Sequence, residues 1–162
     1  MTYEIKLANK DDLDLILKLY LERINWFKKN NIKQWSKYFE NHPISEFKEA
    51  INKKEYYIIK QNNEIIAGFE LTSDNRNLDH DNVSAYYIYK IVTKVGYKDI
   101  VKIIFAKCRE IAQENNKKYL RLTCLKSNKK LNNIYERHNF KLIEYGYNKH
   151  YSYSLRELNI VE

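Results

Sequence analysis

The chain has 162 residues, 44% hydrophobic and 31% charged, with three glycines and one proline. That balance is globular rather than disordered, and no run nears the roughly 18 apolar residues that a membrane-spanning helix needs. Twenty-nine Lys and Arg against 21 Asp and Glu give a formal net charge of +8, which suits an anionic partner but follows equally from a composition rich in Lys, Asn, Ile and Tyr.

In chain order, residues 3–7 read as a short strand. Leu13, Ile16, Leu17, Tyr20, Ile24 and Phe27 recur at helical spacing, with Asp11 and Asp12 in the first turn where the macrodipole favours them. A polar break at Lys28–Lys33 leads to Gln34-Trp35, and a shorter helix is expected from Ile44 to Asn52, begun by Pro43. Tyr56–Ile59 and Ile65–Leu71 read as a hairpin around an Asn62-Asn63 turn, with Glu70 placed by alternation on the solvent side. Ser73–Asn82 is loop-like, and Ala85–Thr93 is the strongest strand, rich in aromatic and β-branched residues. Helical spacing returns over Ile100–Ile111, Tyr119–Cys124 is a buried strand, Asn128–Arg137 a helix, and Phe140–Leu155 two strands turning near Gly146–Asn148. No repeat or linker interrupts this order, so one domain over 1–162 is expected, an α/β or α+β arrangement with helices on a mixed sheet. Cys108 and Cys124 lack CxxC or His-rich spacing; no metal is expected, and a reducing cytoplasm fits. The alternating start Met1–Lys6 has no apolar secretory core.

Lys118–Cys124 (KYLRLTC), Ser127–Leu131 (SNKKL) and Tyr135–Phe140 (YERHNF) together resemble the segment "LRL-x-C…N-x-x-L…YE-x-x-GF" of the GNAT N-acetyltransferases. The element order is also theirs. Trp26, the NNIKQW run ending at Trp35, and YYIIKQNNEIIAGFELTSD resemble the first half of a bacterial subgroup, so the likeness covers nearly the whole chain. It implies a mixed, mostly antiparallel sheet of six to seven strands with about four helices, and acetyl-CoA as acyl donor. It implies too that strands 85–93 and 119–124 are parallel and spread to admit the pantetheine arm. Asn128 would contact that arm; Tyr135, two turns further along the helix, would protonate the leaving thiolate. Bottom-up, Ser127 or Asn128 is also a good N-cap and Tyr135 a plausible core residue.

The family's diagnostic glycine-rich turn, R/Q-x-x-G-x-G/A, cradles the diphosphate of the cofactor on backbone N–H groups. Here the stretch reads Thr93-Lys94-Val95-Gly96-Tyr97-Lys98-Asp99-Ile100-Val101-Lys102, and counting back from Arg109 puts the glycine positions on Tyr97, Asp99 and Val101. Side chains there crowd a phosphate, and Asp99 adds a like charge, while Lys94, Lys98 and Lys102 offset it. Val92, Thr93, Lys94, Lys98, Asp99 and Ile100 are therefore the expected cofactor contacts in this stretch, with altered CoA binding.

Acetyl transfer to an amine needs a proton acceptor and a donor to the thioester oxygen. The backbone at Val92 or Thr93 is the expected donor. Glu70 is the first candidate base, then Asp74, with His80 and His138 weaker. Trp26 and Trp35 would wall the acceptor pocket and suit a cationic amine. The alternative function is a GNAT-fold module that binds acyl-CoA or protein without turnover. Interleaved Lys and Tyr in 85–98 and 145–153 raise nucleic acid as a partner, but no recognition motif accompanies them, so it is not expected. A primary amine of a small molecule or peptide is the expected acceptor, no membrane partner is expected, and the C-terminal edge strands are available for a homodimer.

Overall fold

The computed structural model describes residues 2–76 and 83–161. Its strands are β1 (Glu4–Leu7), β2 (Tyr56–Gln61), β3 (Glu64–Thr72), β4 (Ala85–Thr93), β5 (Tyr119–Leu125), β6 (Lys141–Tyr147) and β7 (Ser152–Asn159). The helices are α1 (Leu13–Lys29), α2 (Tyr38–Asn41), α3 (Ile44–Asn52), α4 (Ile100–Glu114) and α5 (Lys129–Arg137), with a 3-10 turn at Lys10–Asp12. The strands hydrogen-bond in the order β1-β2-β3-β4-β5-β7-β6. The pairs β1–β2, β2–β3, β5–β7 and β6–β7 are antiparallel, and β4–β5 is parallel. This is the expected mixed, mostly antiparallel sheet, and α2 is a one-turn helix the sequence pattern did not announce. Among the described residues no helix is long and apolar enough to cross a membrane.

The chain divides into two compact units, residues 1–70 with 90–101, and residues 71–89 with 102–162. The core of the first unit gathers Ile16, Leu19, Tyr20 and Ile24 of α1, Phe47, Ala50 and Ile51 of α3, and Tyr56, Ile58, Ile65 and Val92 of the strands. Asn9 opens the 3-10 turn with a capping box, its side chain accepting from Asp11 while the Asp12 carboxylate accepts from the Asn9 amide. The turn at Asn62-Asn63 has φ of 52° and 63°, the double left-handed geometry that matches hairpin twist and that Asn tolerates.

In the second unit Phe105, Tyr135 and Phe140 pack with ring centroids 4.7–6.3 Å apart. Arg156 of β7 ties α5 down, donating to Asn132 Oδ1 (3.0 Å), Glu136 Oε2 (2.5 Å) and the Phe140 carbonyl (2.9 Å). The last hairpin turns later than the sequence placed it, at 148–151, and β7 runs on to Asn159 rather than ending at Leu155. Two features cause this. Asn148 Oδ1 accepts from the amides of His150 and Tyr151 and closes the turn. Gly146 stays in the strand because the Tyr153 ring lies across it; a Cβ there would come within 2.5 Å of that ring.

Candidate functional site

Glu70, the first expected base, belongs to an ionic cluster in the first unit. Alternation placed it in solvent, but β3 is buried from Ile65 to Thr72, as a central strand covered on both faces must be, and alternation carries no information there. Lys90 of β4 approaches its Oε1 at 3.1 Å, with side-chain exposures of 1% and 2%. The same ammonium lies 3.0 Å from Glu46 Oε1 of α3 and over the Phe47 ring at 5.8 Å. Glu46 in turn meets His42 Nδ1 at 3.3 Å, and these two side chains are 37% and 34% exposed. Burial alone would raise the Glu46 carboxyl, but Lys90 and His42 together outweigh it and hold it below its usual value.

The backbone at Lys90 is also exceptional. Its φ of 58° is left-handed in the middle of a strand, a conformation that costs a non-glycine residue about 1–2 kcal/mol. The Tyr20 hydroxyl donates to the Lys90 carbonyl and lies 2.7 Å from the Tyr56 hydroxyl. Burial raises both phenols and that of Tyr38 above their ordinary value, and the nearby Glu70 charge adds to each, so all three keep their protons.

Aromatic rings continue from this cluster. Tyr38 stacks 5.2 Å from Tyr20, 4.5 Å from Trp35 and 4.8 Å from the His42 ring. Trp35, itself left-handed at φ 60° and half-buried, also meets Phe27 edge-on at 5.5 Å. Trp26 is half-buried further along, packed on Phe27 (5.7 Å) with the Arg23 guanidinium 5.2 Å from its ring. Of the two tryptophans, Trp35 shares rings with the ionic cluster and Trp26 does not.

Past Lys90, Val92 is in the core, while Thr93 accepts from Arg23 through its carbonyl (2.7 Å) and hydroxyl (3.1 Å). Lys94 is bound at 2.9 Å to Glu64 and 3.5 Å to Glu22, and its amide donates to the Ile66 carbonyl. Lys98 is exposed. Asp99, also exposed, has φ of 62°, and Ile100 is buried at the start of α4. Gly96 has φ of 93°, with no atom within 4 Å of where a Cβ would stand.

In the second unit, Asn128 is the N-cap of α5, its Oδ1 accepting from Leu131 at 3.0 Å. Tyr135 is buried against Phe105 and Phe140, and burial, with a smaller push from Cys124, raises its phenol. Asp74 is exposed; its Oδ1 accepts from the Arg76 amide and its carbonyl from the Tyr89 hydroxyl. His138 packs its ring on Phe105 at 5.3 Å and is half-buried. His80 lies outside the described residues.

The sequence reading missed Lys90, Glu46 and His42. A lone Lys inside AYYIYKIVT was the available signal, because a charge in so apolar a strand needs a buried partner. His42 and Glu46 stand at helical spacing across Pro43, which was read only as a helix start.

No protein-family profile matches the sequence, and a search of curated proteins finds no match. Solved structures do match. An acetyltransferase of the GNAT family from Listeria monocytogenes is similar at a TM-score of 0.79 and 19% identity, over 96% of this chain and 95% of that one. The PaiA N-acetyltransferase of Thermoplasma acidophilum in complex with coenzyme A is similar at 0.75 and 15%, over 98% and 99%. An N-acetyltransferase from Staphylococcus aureus is similar at 0.70 and 17%, over 99% of both chains. The chain has the fold of the GNAT acetyltransferases.

Proposed function

We propose that this GNAT-fold chain transfers acetyl from acetyl-CoA to a primary amine of a small molecule or peptide, by direct attack in a ternary complex. The observation that carries the reading is the short parallel pairing of β4 with β5. It covers Ala85–Tyr87 against Tyr119–Arg121, yet β5 continues to Leu125. On its β4 side, among the described residues, the β5 backbone beyond Arg121 carries N–H and C=O groups outside that pairing, and the amides of a pantetheine chain have matching chemistry.

Lys98 and the open backbone at Gly96 are the groups suited to the donor's diphosphate, backed by the first amides of α4. Bound acetyl-CoA supplies a thioester carbonyl as electrophile. The amide of Val92 or Thr93 would donate to the thioester oxygen. Tyr135, kept protonated by burial, would give its proton to the departing thiolate. Trp35 and Tyr38 would wall a cationic acceptor.

The binding-module reading is favoured by two features: Lys94 is taken by Glu22 and Glu64, and Asp99 would set a like charge against a polyanion. Thermal stabilisation by CoA separates the cases. A rise in Tm with CoA and no thiol release selects the module; no rise sinks both. Asp99→Asn should tighten CoA binding about 5-fold, because removing one like charge near the surface is worth about 1 kcal/mol and Asn tolerates the left-handed backbone. Calorimetric titration checks it, and unchanged affinity would place the diphosphate elsewhere.

A further inference from the structure

We propose that the outer edge of β6 docks a second copy of this chain, the two β6 strands pairing antiparallel about a two-fold axis at Gly146. The proposal is independent of the acyl-transfer reading.

Among the described residues β6 is the last strand of the sheet, paired only with β7. Every residue of it that carries a side chain is exposed. Leu142, Ile143, Tyr145 and Tyr147 are apolar, and the two tyrosines are 56% and 85% exposed. Leu142, Tyr145 and Tyr147 stand across from Arg156, Ser154 and Ser152 of β7, so they share one face of the sheet. A strand edge flanked by apolar side chains is a template for another strand. The devices that normally blunt such an edge lie towards one end. Lys141 and Glu144 carry charge there, with a bulge between Leu142 and Glu144. From Tyr145 to Asn148 there is neither a charge nor a bulge.

Charge and register favour a second copy as the occupant. A net charge of +8 keeps copies apart over most of their surface, but β6 has one Lys and one Glu and so no net charge. The cation beside it, Lys126, lies over the Tyr145 ring at 4.3 Å. A two-fold contact uses the same patch on both copies. With the axis at Gly146, Tyr145 of each copy faces Tyr147 of the other, and Glu144 faces Asn148. The two Gly146 residues meet at the centre, where neither carries a side chain. An axis at Glu144 would oppose two carboxylates, and one at Tyr145 would draw the bulge into the pairing. The two tyrosines leave roughly 300 Å² of surface open on each copy. With Leu142, Ile143 and the strand backbone added, a pair buries on the order of the 1,000 Å² that a specific interface needs.

Sedimentation of the full chain over a dilution series tests this. A dimer at micromolar concentration that dissociates on dilution is expected. Tyr147→Lys should raise the dissociation constant about 30-fold or more, the loss of an aromatic anchor at an interface, with the far-UV circular dichroism of wild type. On oxidation, a mixture of Tyr145→Cys and Tyr147→Cys proteins should cross-link between unlike chains faster than either protein alone, since only the unlike positions face each other. Cys108 and Cys124 are buried and should not react. A wild-type chain that stays monomeric to millimolar concentration would overturn the proposal, and so would a dimer that Tyr147→Lys leaves intact. Equal cross-linking in each single variant alone would overturn the axis at Gly146. A monomer that binds a single-stranded oligonucleotide or a phosphatidylserine vesicle, and loses it in Tyr147→Ser, would give the edge a different occupant and overturn self-pairing.

Discussion

Replacing Lys90 with methionine is expected to destabilise the protein by about 3–5 kcal/mol, because it removes the ammonium paired with a buried carboxylate. Glu70 is 2% exposed and its pairing to Lys90 is direct. Methionine fills nearly the same volume, so the loss is electrostatic rather than a cavity. The companion variant Lys90→Met/Glu70→Gln should recover most of the difference, since the buried charge is then gone and the two changes couple strongly. Lys90→Gly separates the backbone from the charge. Glycine enters the left-handed step at 58° freely, yet it takes the ammonium from Glu70 as methionine does and should also be destabilised. Urea unfolding at neutral pH measures all three; a Lys90→Met protein within about 1 kcal/mol of wild type would contradict the ionic cluster as its cause.

Stability should fall steeply in alkali. Tyr20, Tyr38, Tyr56 and Tyr135 all have phenols raised by burial, and the Cys124 thiol is pushed up to about 11 by the same cause. These are acids whose folded value lies above the unfolded one. Their contribution is complete below the unfolded value, about 8.5 for a thiol and about 10 for a phenol, and is lost as pH rises towards the folded value. Each group subtracts about 1.4 kcal/mol per pH unit inside its window. Four phenols acting together should unfold the protein within one or two units above about pH 10. Phenolate absorbance should then appear in two groups among the 15 tyrosines, exposed ones early and buried ones together with loss of structure. A single smooth titration of all of them in the folded protein would contradict it.

The periodicity of α1 and α3 was legible because each buries one face, and β4 because its β-branched and aromatic residues have no helical spacing. The parallel partnership of β4 and β5 came through the resemblance, not through any pattern in either strand. The site itself was less legible. Glu70 was misplaced because the two-residue period fails in a strand buried on both sides. Lys94 looked like a phosphate ligand from its place in the loop, and only the fold brings Glu22 and Glu64 to it. His42, Glu46, Lys90 and Glu70 are spread over α3, its approach and two strands, so no window of sequence contains them. Asp99 is the opposite case. Its residue type departs from glycine, but its φ of 62° keeps a backbone shape glycine would favour.

Amine-dependent release of the CoA thiol from acetyl-CoA is the most direct test of the central claim. Thiol should appear only when protein, acetyl-CoA and a primary amine are present together, with the acetylated amine formed in equal amount. Thiol release that does not depend on the amine, or none in a protein whose Tm CoA leaves unmoved, would contradict it.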